Sequence, residues 1–334
     1  MLPCACITTV RKEKNRNCSF SSEMFHLPIR TEWVENQVVI TASEVPELKR
    51  GDILISVNGL DARQVLVEGE KQISGSPWLR RHRALNILGS SYYQANSLLV
   101  AEREGKKYRS EIKMKGEIKN MFMNPLLEMD CEHYRIKELE PGIFYVNLYH
   151  LDTEIFELHL QELSSAKAVI YDYRWGGSEG IYSLVPHLVD TIVDSPWWHI
   201  PNVIYPNREQ MKFTRFNWQL RPEEPVFHSK SLFITSACVV SSGETMIGLL
   251  RHANRIITVG GTTAGCNGNT NYIILPNGYR IMFTGMKVLK QDGSQHHLVG
   301  YPPDYPVERT LQGVRDGRDE VLEKALEVAR EISL

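Results

Sequence analysis

The feature that most constrains the fold is a repeated pattern of apolar run, small-residue turn and helix in the second half of the chain. The apolar runs cover residues 166–173, 232–240 and 255–259, and each leads into a turn rich in glycine, serine or threonine. Parallel strands need long crossover connections, so this alternation predicts stacked βαβ units. Ligands in such folds lie at the carboxyl ends of the strands, which makes the three turns the candidate sites.

The second junction carries two adjacent serines, Ser241 and Ser242, before a helical pattern over Thr245–His252. A strand holds such a residue rigidly, and a helix N-terminus offers free N–H groups and partial positive charge to an oxyanion. This position therefore suits a catalytic nucleophile. The pattern equally fits a helix cap, in which Ser241 or Ser242 is the N-cap residue and Glu244 completes a capping box.

The remaining pattern divides the chain into three parts. Residues 1–25 are polar and basic without periodicity, which predicts a disordered or extended tail. Residues 26–115 combine short β-rich runs with an Asn58-Gly59 turn signal and a helical pattern over Pro77–Leu88, which predicts a small, mostly β domain. Residues 116–334 form the α/β core, with further helices expected at Thr153–Leu163, Leu184–Val193 and Glu320–Ile332.

Composition limits the partners of this chain. Its 334 residues carry a net charge of −2, which favours neither nucleic acid nor an anionic membrane as a partner. No run of about 18 apolar residues is present, so no membrane span is expected, and the N-terminus lacks the apolar core of a signal peptide.

Metal and nucleotide cofactors are also not expected. The six cysteines show no paired CxxC spacing, and the Gly261–Gly268 loop lacks the Gly-Lys-Ser/Thr ending of a phosphate-binding loop. Cys238 lies inside an apolar run and is expected to be a small core residue.

Several segments resemble the tail-specific (C-terminal processing) serine proteases. Residues 48–59 are similar to the PDZ-like module of that family, residues 168–177 to its strand and glycine turn, and residues 241–244 to its Ser-x-x-Glu nucleophile motif. Further matches follow at residues 257–265, 275–280 and 300–304, and the order and spacing of all these motifs make the resemblance specific. The resemblance spans about residues 26–330 and implies a ClpP/crotonase-like stacked βαβ protease core behind a PDZ-like domain, with Ser241 as the nucleophile.

The general base departs from the patterns of this family. Bacterial processing proteases use a Ser–Lys dyad, and Cys266 occupies the matching lysine position, which excludes that dyad here. The chain is similar to the branch of the tricorn core and interphotoreceptor retinoid-binding protein. The early histidine of that branch falls near Asn147, and its glutamate falls near His297.

Histidines near the motifs are the first candidates for the base, because imidazole titrates near neutral pH. His296 and His297 are adjacent, so on a strand they point to opposite faces and one can face the active site in either register. We favour His297, then His296, with Glu244 orienting the base or the nucleophile. The other candidates are His150 and, if buried, Lys287 and Lys290.

The oxyanion hole is expected from the backbone N–H of Ser242 with that of Gly176 or Gly177, although these glycines also fit a plain turn. These residues predict a serine endopeptidase that cleaves unfolded or tail segments of proteins through an acyl-enzyme. The alternatives are a catalytically inactive relative that binds peptides and, third, an esterase. The resemblance also implies a cell-envelope or periplasmic location. The sequence does not decide the oligomeric state, for which a homo-oligomer is one alternative.

Overall fold

The structure, a computed structural model, describes residues 10–12, 24–91, 95–118, 135–276 and 279–333. The predicted tail is therefore mostly outside the described residues, as is most of the segment between residues 116 and 140. The elements of the N-terminal region are β1 (Val10–Lys12), β2 (Met24–His26), β3 (Ile29–Val34), β4 (Gln37–Ser43), β5 (Ile53–Val57), β6 (Leu60–Asp61), α1 (Ala62–Lys71), α2 (Pro77–Leu88), β7 (Ser90–Ser91), β8 (Asn96–Arg103), β9 (Lys106–Lys113) and β10 (Lys115–Ile118).

The N-terminal region is built on an antiparallel sheet with strand order β3-β4-β5-β8-β9. Its buried side chains form one cluster with those of both helices, including Val38, Leu54 and Leu66. Asn58 and Gly59 both adopt positive φ, as a tight turn requires, and the Asn58 side chain accepts a hydrogen bond from Leu98 N–H at 2.8 Å. The prediction of helix Pro77–Leu88 is confirmed.

The C-terminal region contains the βαβ units. Its elements are β11 (Ile136–Glu140), β12 (Ile143–Asn147), α3 (Thr153–Ser164), β13 (Ala168–Asp172), α4 (Gly180–Leu184), a 3-10 helix (Val185–Leu188), β14 (Val193–Asp194), β15 (Trp197–Asn202), β16 (Lys212–Phe216), β17 (Gln219–Leu220), β18 (Lys230–Thr235), α5 (Ser242–His252), β19 (Ile256–Gly260), β20 (Thr270–Ile274), β21 (Tyr279–Thr284), β22 (Lys287–Leu289), β23 (Tyr305–Pro306), α6 (Leu311–Arg315) and α7 (Glu320–Ile332).

The central sheet has the order β11-β12-β13-β18-β19-β23, and every pair from β12 to β23 is parallel. Side chains alternate between two buried faces, because a sheet covered by helices on both sides has no wet face. In β13, Val169 and Tyr171 join the cluster that includes α3 and α5 residues, whereas Ala168 and Ile170 join the cluster beneath α7. The expectation of an α/β core preceded by a β-rich region is confirmed.

The predicted helix Leu184–Val193 is wrong. The chain instead forms α4 up to Leu184 and a 3-10 helix to Leu188. Pro186 has no N–H to continue a helix. The carbonyls of Pro186 and His187 accept hydrogen bonds from Glu223 and Phe227 N–H, so tertiary partners replace helical ones.

The two regions are packed against each other directly over the carboxyl ends of the central strands. Val34 and Val39 form a buried cluster with Val314. The Ser76 hydroxyl caps α2 and also donates to Ala264 O at 2.7 Å, and Trp78 Nε1 donates to Thr263 O at 2.5 Å. Helix α2 therefore lies against the loop that follows β19.

The described helices are all too short or too polar to cross a membrane. Within the same residues, no cluster of three His, Cys, Asp or Glu side chains is placed to hold a metal ion.

Candidate active site

Ser241 stands at the N-cap position of α5 in an unusual backbone conformation. Its φ is 52° and its ψ is −117°, which is a sparsely populated region for a residue with a side chain. The hydroxyl makes no capping hydrogen bond, and the residue is exposed. The N–H of Ser241 donates to Cys266 O at 2.8 Å. The helix-cap interpretation thus does not account for the Ser241 side chain.

Glu244, one turn into α5, is fully buried. Its carboxylate accepts hydrogen bonds from the Thr263 hydroxyl at 2.5 Å, from Gly265 N–H at 2.7 Å and from Cys266 N–H at 2.8 Å. A capping box would instead direct this side chain to the Ser241 N–H. Glu244 therefore fixes the loop after β19, and Cys266 of that loop in turn holds the Ser241 backbone.

His296 is the second buried partner of Glu244. Its Nε2 lies 3.1 Å from Glu244 Oε2, and its ring lies 5.3 Å from the Tyr301 ring. A carboxylate accepts hydrogen bonds only, so this contact places the proton on Nε2. Nδ1 is buried and has no hydrogen-bond partner among the described residues, so it carries a free lone pair.

His297 is held differently, although it is also buried. Its Nε2 lies 3.4 Å from the Val288 N–H donor, and it hydrogen-bonds the Met286 backbone. Burial lowers the pKa of His297, and the neighbouring His296 lowers it further. Both interactions are to backbone groups, which is typical of a structural histidine.

The other candidate bases lie apart from these contacts. His150 is half-buried in the loop after β12, with its ring edge-on to Tyr149 at 4.9 Å. Lys287 lies in β22, and its Nζ is 5.8 Å from the Phe213 ring. Lys290 Nζ is 4.8 Å from the Tyr301 ring, and burial lowers the pKa of Lys290. The Ser241 hydroxyl makes no hydrogen bond to any of these groups among the described residues.

The glycine turn after β13 lies beside the start of α5, with Tyr173 between them. A Cβ added to Gly177 would lie 2.7 Å from the Tyr173 ring, and one added to Gly243 would lie 2.6 Å from its hydroxyl. Gly176 has φ 86°, and its N–H is used in a turn to Tyr173 O at 3.1 Å. Within the described chain the Gly177 N–H has no such acceptor, so Gly177 is the better placed of the two glycines to bind an oxyanion.

An ion-pair network fixes the base of this turn, in which Asp172 is buried and Asp319 is partly exposed. Arg174 lies 2.6 Å from Asp172 Oδ2 and 2.7 Å from Asp319 Oδ2. Tyr145 donates its hydroxyl to Asp172 at 2.9 Å. Desolvation opposes the charge on Arg174, but the two carboxylates outweigh it and raise the pKa of Arg174 above its usual value.

Sequence reasoning missed one pair at this site. His82 of α2 contacts Cys238 in the loop between β18 and α5, with Nε2 and Sγ 3.2 Å apart. Cys238 is half-buried rather than a fully enclosed core residue. The basic run around His82 gave no local signal of this contact, because the two residues are 156 positions apart.

Comparisons with known proteins identify a family domain and a fold. Residues 144–307 match the model of Peptidase family S41. The structure of mature CPAF complexed with lactacystin is 14% identical, with a TM-score of 0.72 over 93% of this chain and 84% of that chain. Mature CPAF alone gives 14% identity and a TM-score of 0.71 over 93% and 83% of the two chains.

The photosystem II D1 C-terminal processing protease is more distant, at 12% identity and a TM-score of 0.46 over 92% of this chain and 80% of that chain. No curated protein matches the sequence significantly. Residues 144–307 therefore form a Peptidase family S41 domain, and 93% of the chain is similar in fold to mature CPAF.

Proposed function

We propose that this chain, a peptidase with a family S41 domain, is a serine endopeptidase in which Ser241 is the nucleophile. The observation that carries the proposal is the state of Ser241: it is exposed, has a strained backbone, and keeps its hydroxyl free of the helix cap. Backbone strain is retained in proteins mainly where function requires it. The free N–H groups at the start of α5 add the electrostatic environment that an oxyanion needs.

In the proposed mechanism, the Ser241 hydroxyl attacks the scissile carbonyl and loses its proton to an imidazole. The hydrogen bonding favours His296 over His297 as this base, because His296 Nδ1 has a free lone pair while Glu244 holds Nε2–H. A carboxylate that orients the base in this way fixes its tautomer and stabilises the imidazolium. The proton then passes to the leaving amine, and water hydrolyses the acyl-enzyme.

The oxyanion of the tetrahedral intermediate would be bound by the N–H groups of Ser242 and Gly177. Ser242 is the first residue of α5, so its N–H has no intrahelical acceptor. Glycine at position 177 lets a substrate carbonyl approach the backbone closely. Contacts between catalytic groups are often long without substrate and shorten in the complex, which is consistent with the unbonded Ser241 hydroxyl.

The N-terminal region would act as the PDZ-like module, and the substrate would be an unfolded or tail segment of a protein. Helix α2 contacts the loop after β19, and Arg30 of β3 stacks over Trp175 at 4.1 Å. The region therefore borders the turn after β13 and the loop after β19 that holds Ser241. An extended peptide added to its sheet would be directed towards Ser241.

A second candidate function is peptide binding without catalysis. It is favoured by one observation, the lack of any hydrogen bond between the Ser241 hydroxyl and an imidazole among the described residues. The Asn147 and Cys266 positions, where relatives carry a base, support the same alternative.

A fluorophosphonate probe distinguishes these functions. We expect covalent labelling of the wild type, its loss in Ser241→Ala, and its retention in the matched control Ser242→Ala. Wild-type protein that is not labelled, or a Ser241→Ala variant that is labelled equally, would remove the hydrolase assignment. Hydrolysis of small esters without cleavage of unfolded proteins would identify an esterase instead.

A further inference from the structure

The contact between Cys238 and His82 joins the loop between β18 and α5 of the α/β core to helix α2 of the N-terminal region. His82 projects from α2 of the N-terminal region, and Cys238 lies three residues before Ser241. The sulfur is 3.2 Å from Nε2 and 3.8 Å from Nδ1, so it lies against the ring with both nitrogens in reach. The Cys238 N–H donates to the Ser236 hydroxyl at 3.0 Å, which fixes the loop around the sulfur.

The short distance between the two groups favours transfer of a proton from the Cys238 thiol to the His82 imidazole. Burial alone would raise the pKa of the Cys238 thiol, but the charge of His82 and its hydrogen bond lower it below the usual value. Burial likewise acts to lower the pKa of His82, but Cys238 raises it above 6.5. From β3, Arg30 opposes the charge on His82 and Glu32 supports it.

We propose that Cys238 is a site of covalent modification, a thiolate held by the His82 imidazolium that reacts with peroxides and with soft alkylating agents. The geometry brings the sulfur of a half-buried cysteine within 3.2 Å of an imidazole nitrogen, and a cysteine beside a protonated histidine is typically reactive. The assignment does not depend on Ser241 being a nucleophile.

Each reaction proceeds from the thiolate. With iodoacetamide, sulfur displaces iodide, so an S–C bond forms as the C–I bond breaks. With hydrogen peroxide, sulfur attacks one oxygen and the O–O bond breaks. This oxidises the cysteine to a sulfenic acid and reduces the peroxide to hydroxide, which takes the proton of the His82 imidazolium and leaves as water.

The modification also changes the interface. Alkylation removes the negative charge that pairs with His82, and it adds volume between α2 and the loop that carries Ser241. The modified protein should therefore hold the N-terminal region less tightly against this loop.

A pulse of iodoacetamide at a series of pH values tests the proposal on the 334-residue chain. Trypsin releases Cys238 on the peptide 231–251, which contains no other cysteine, and Cys266 on the peptide 256–280. Mass spectrometry then gives the alkylation rate at each site. We expect the midpoint of the Cys238 profile in native protein to lie at least about one pH unit below that of the same peptide alkylated in guanidinium.

The variant His82→Gln removes the cation, and its Cys238 midpoint should rise by about one pH unit or more towards the unfolded value. Circular dichroism checks its folding; if it is unfolded, the comparison of native and guanidinium-treated wild type decides alone. Peroxide treatment should give a dimedone adduct on the peptide 231–251. A native midpoint equal to that of unfolded protein, or a Cys238 that resists alkylation throughout the pH series, would overturn the proposal.

Discussion

The two turns at the candidate site follow neighbouring parallel strands but are stabilised in different ways. The turn after β13 is anchored within its own region, by the Asp172–Arg174–Asp319 ion pairs. The loop after β18 is anchored indirectly. The Glu244 carboxylate accepts a hydrogen bond from Cys266 N–H in the loop after β19, and Cys266 O accepts one from Ser241 N–H. Helix α2 of the N-terminal region contacts this second assembly at Ala264 and Cys238.

This difference implies a division of roles. The turn after β13, the proposed oxyanion side of the site, is fixed by the ion pairs of Arg174 with the buried Asp172 and the partly exposed Asp319, all within the α/β core. The proposed nucleophile side depends on the loop after β19, which accepts hydrogen bonds from Ser76 and Trp78 of the N-terminal region, whereas that region contacts the turn after β13 through the stacking of Arg30 over Trp175. The geometry around Ser241 is therefore the more open to modulation from outside the core. The following substitutions test that division, from the largest expected effect to the smallest.

Arg174→Met should strongly destabilise the protein. It leaves Asp172, whose side chain is 1% exposed, as an uncompensated buried charge. Breaking a buried pair in this way costs about 3–5 kcal/mol. Guanidinium denaturation measures the loss, and Arg318→Met, which removes an exposed pair with Glu323, is the matched control with little expected change. A loss similar to that of the control would show that the turn is not anchored by this network.

Glu244→Gln should lower the free energy of unfolding by about 2–3 kcal/mol. The carboxylate now accepts hydrogen bonds from three donors, and the amide NH2 of glutamine would face one of them. The loop after β19 would shift, and fluorophosphonate labelling of Ser241 should fall with it. Exposed Glu327→Gln serves as the control for charge removal. Unchanged stability together with unchanged labelling would contradict the proposed anchoring of Ser241.

Ser241→Gly should raise stability by about 1 kcal/mol relative to Ser241→Ala, because glycine adopts φ 52° and ψ −117° without strain. The same replacement at Ser242, which lies inside α5, should lower stability by about 0.5–1 kcal/mol. Thermal unfolding of the four proteins checks this. Equal effects at the two serines would mean that position 241 is not strained.

The smallest expected effect is that of His297 on the free energy of unfolding at acidic pH. The folded pKa of His297 lies below 6.5, so at lower pH the unfolded chain binds a proton that the folded protein does not. Stability is therefore lost as the pH falls from about 6.5 towards the lowered value. His297→Gln should reduce the difference in unfolding free energy between pH 8 and pH 5, because it removes the group whose pKa is lowered by folding. A difference that is unchanged or larger would contradict the lowered pKa.

Much of the fold was predictable because it is encoded in local periodicity. Helix Glu320–Ile332 was predicted with its observed bounds, and the apolar runs at residues 166–173 and 255–259 contain most of β13 and β19. The run at residues 232–240 overlaps β18 only as far as Thr235, and residues 236–240 form a loop instead. The error at Leu184–Val193 arose where distant N–H groups captured the carbonyls that a helix would have used.

The order of motifs along the chain determined by itself that this is an α/β peptidase with a serine at a strand–helix junction, because each motif is a continuous segment. Only the tertiary structure decided what surrounds that serine: Glu244 paired with His296 52 positions away, and Cys238 with His82 156 positions away. Hydrogen bonds and charge pairing depend on distances of about 3 Å. The folded chain sets such distances between residues that share no local pattern.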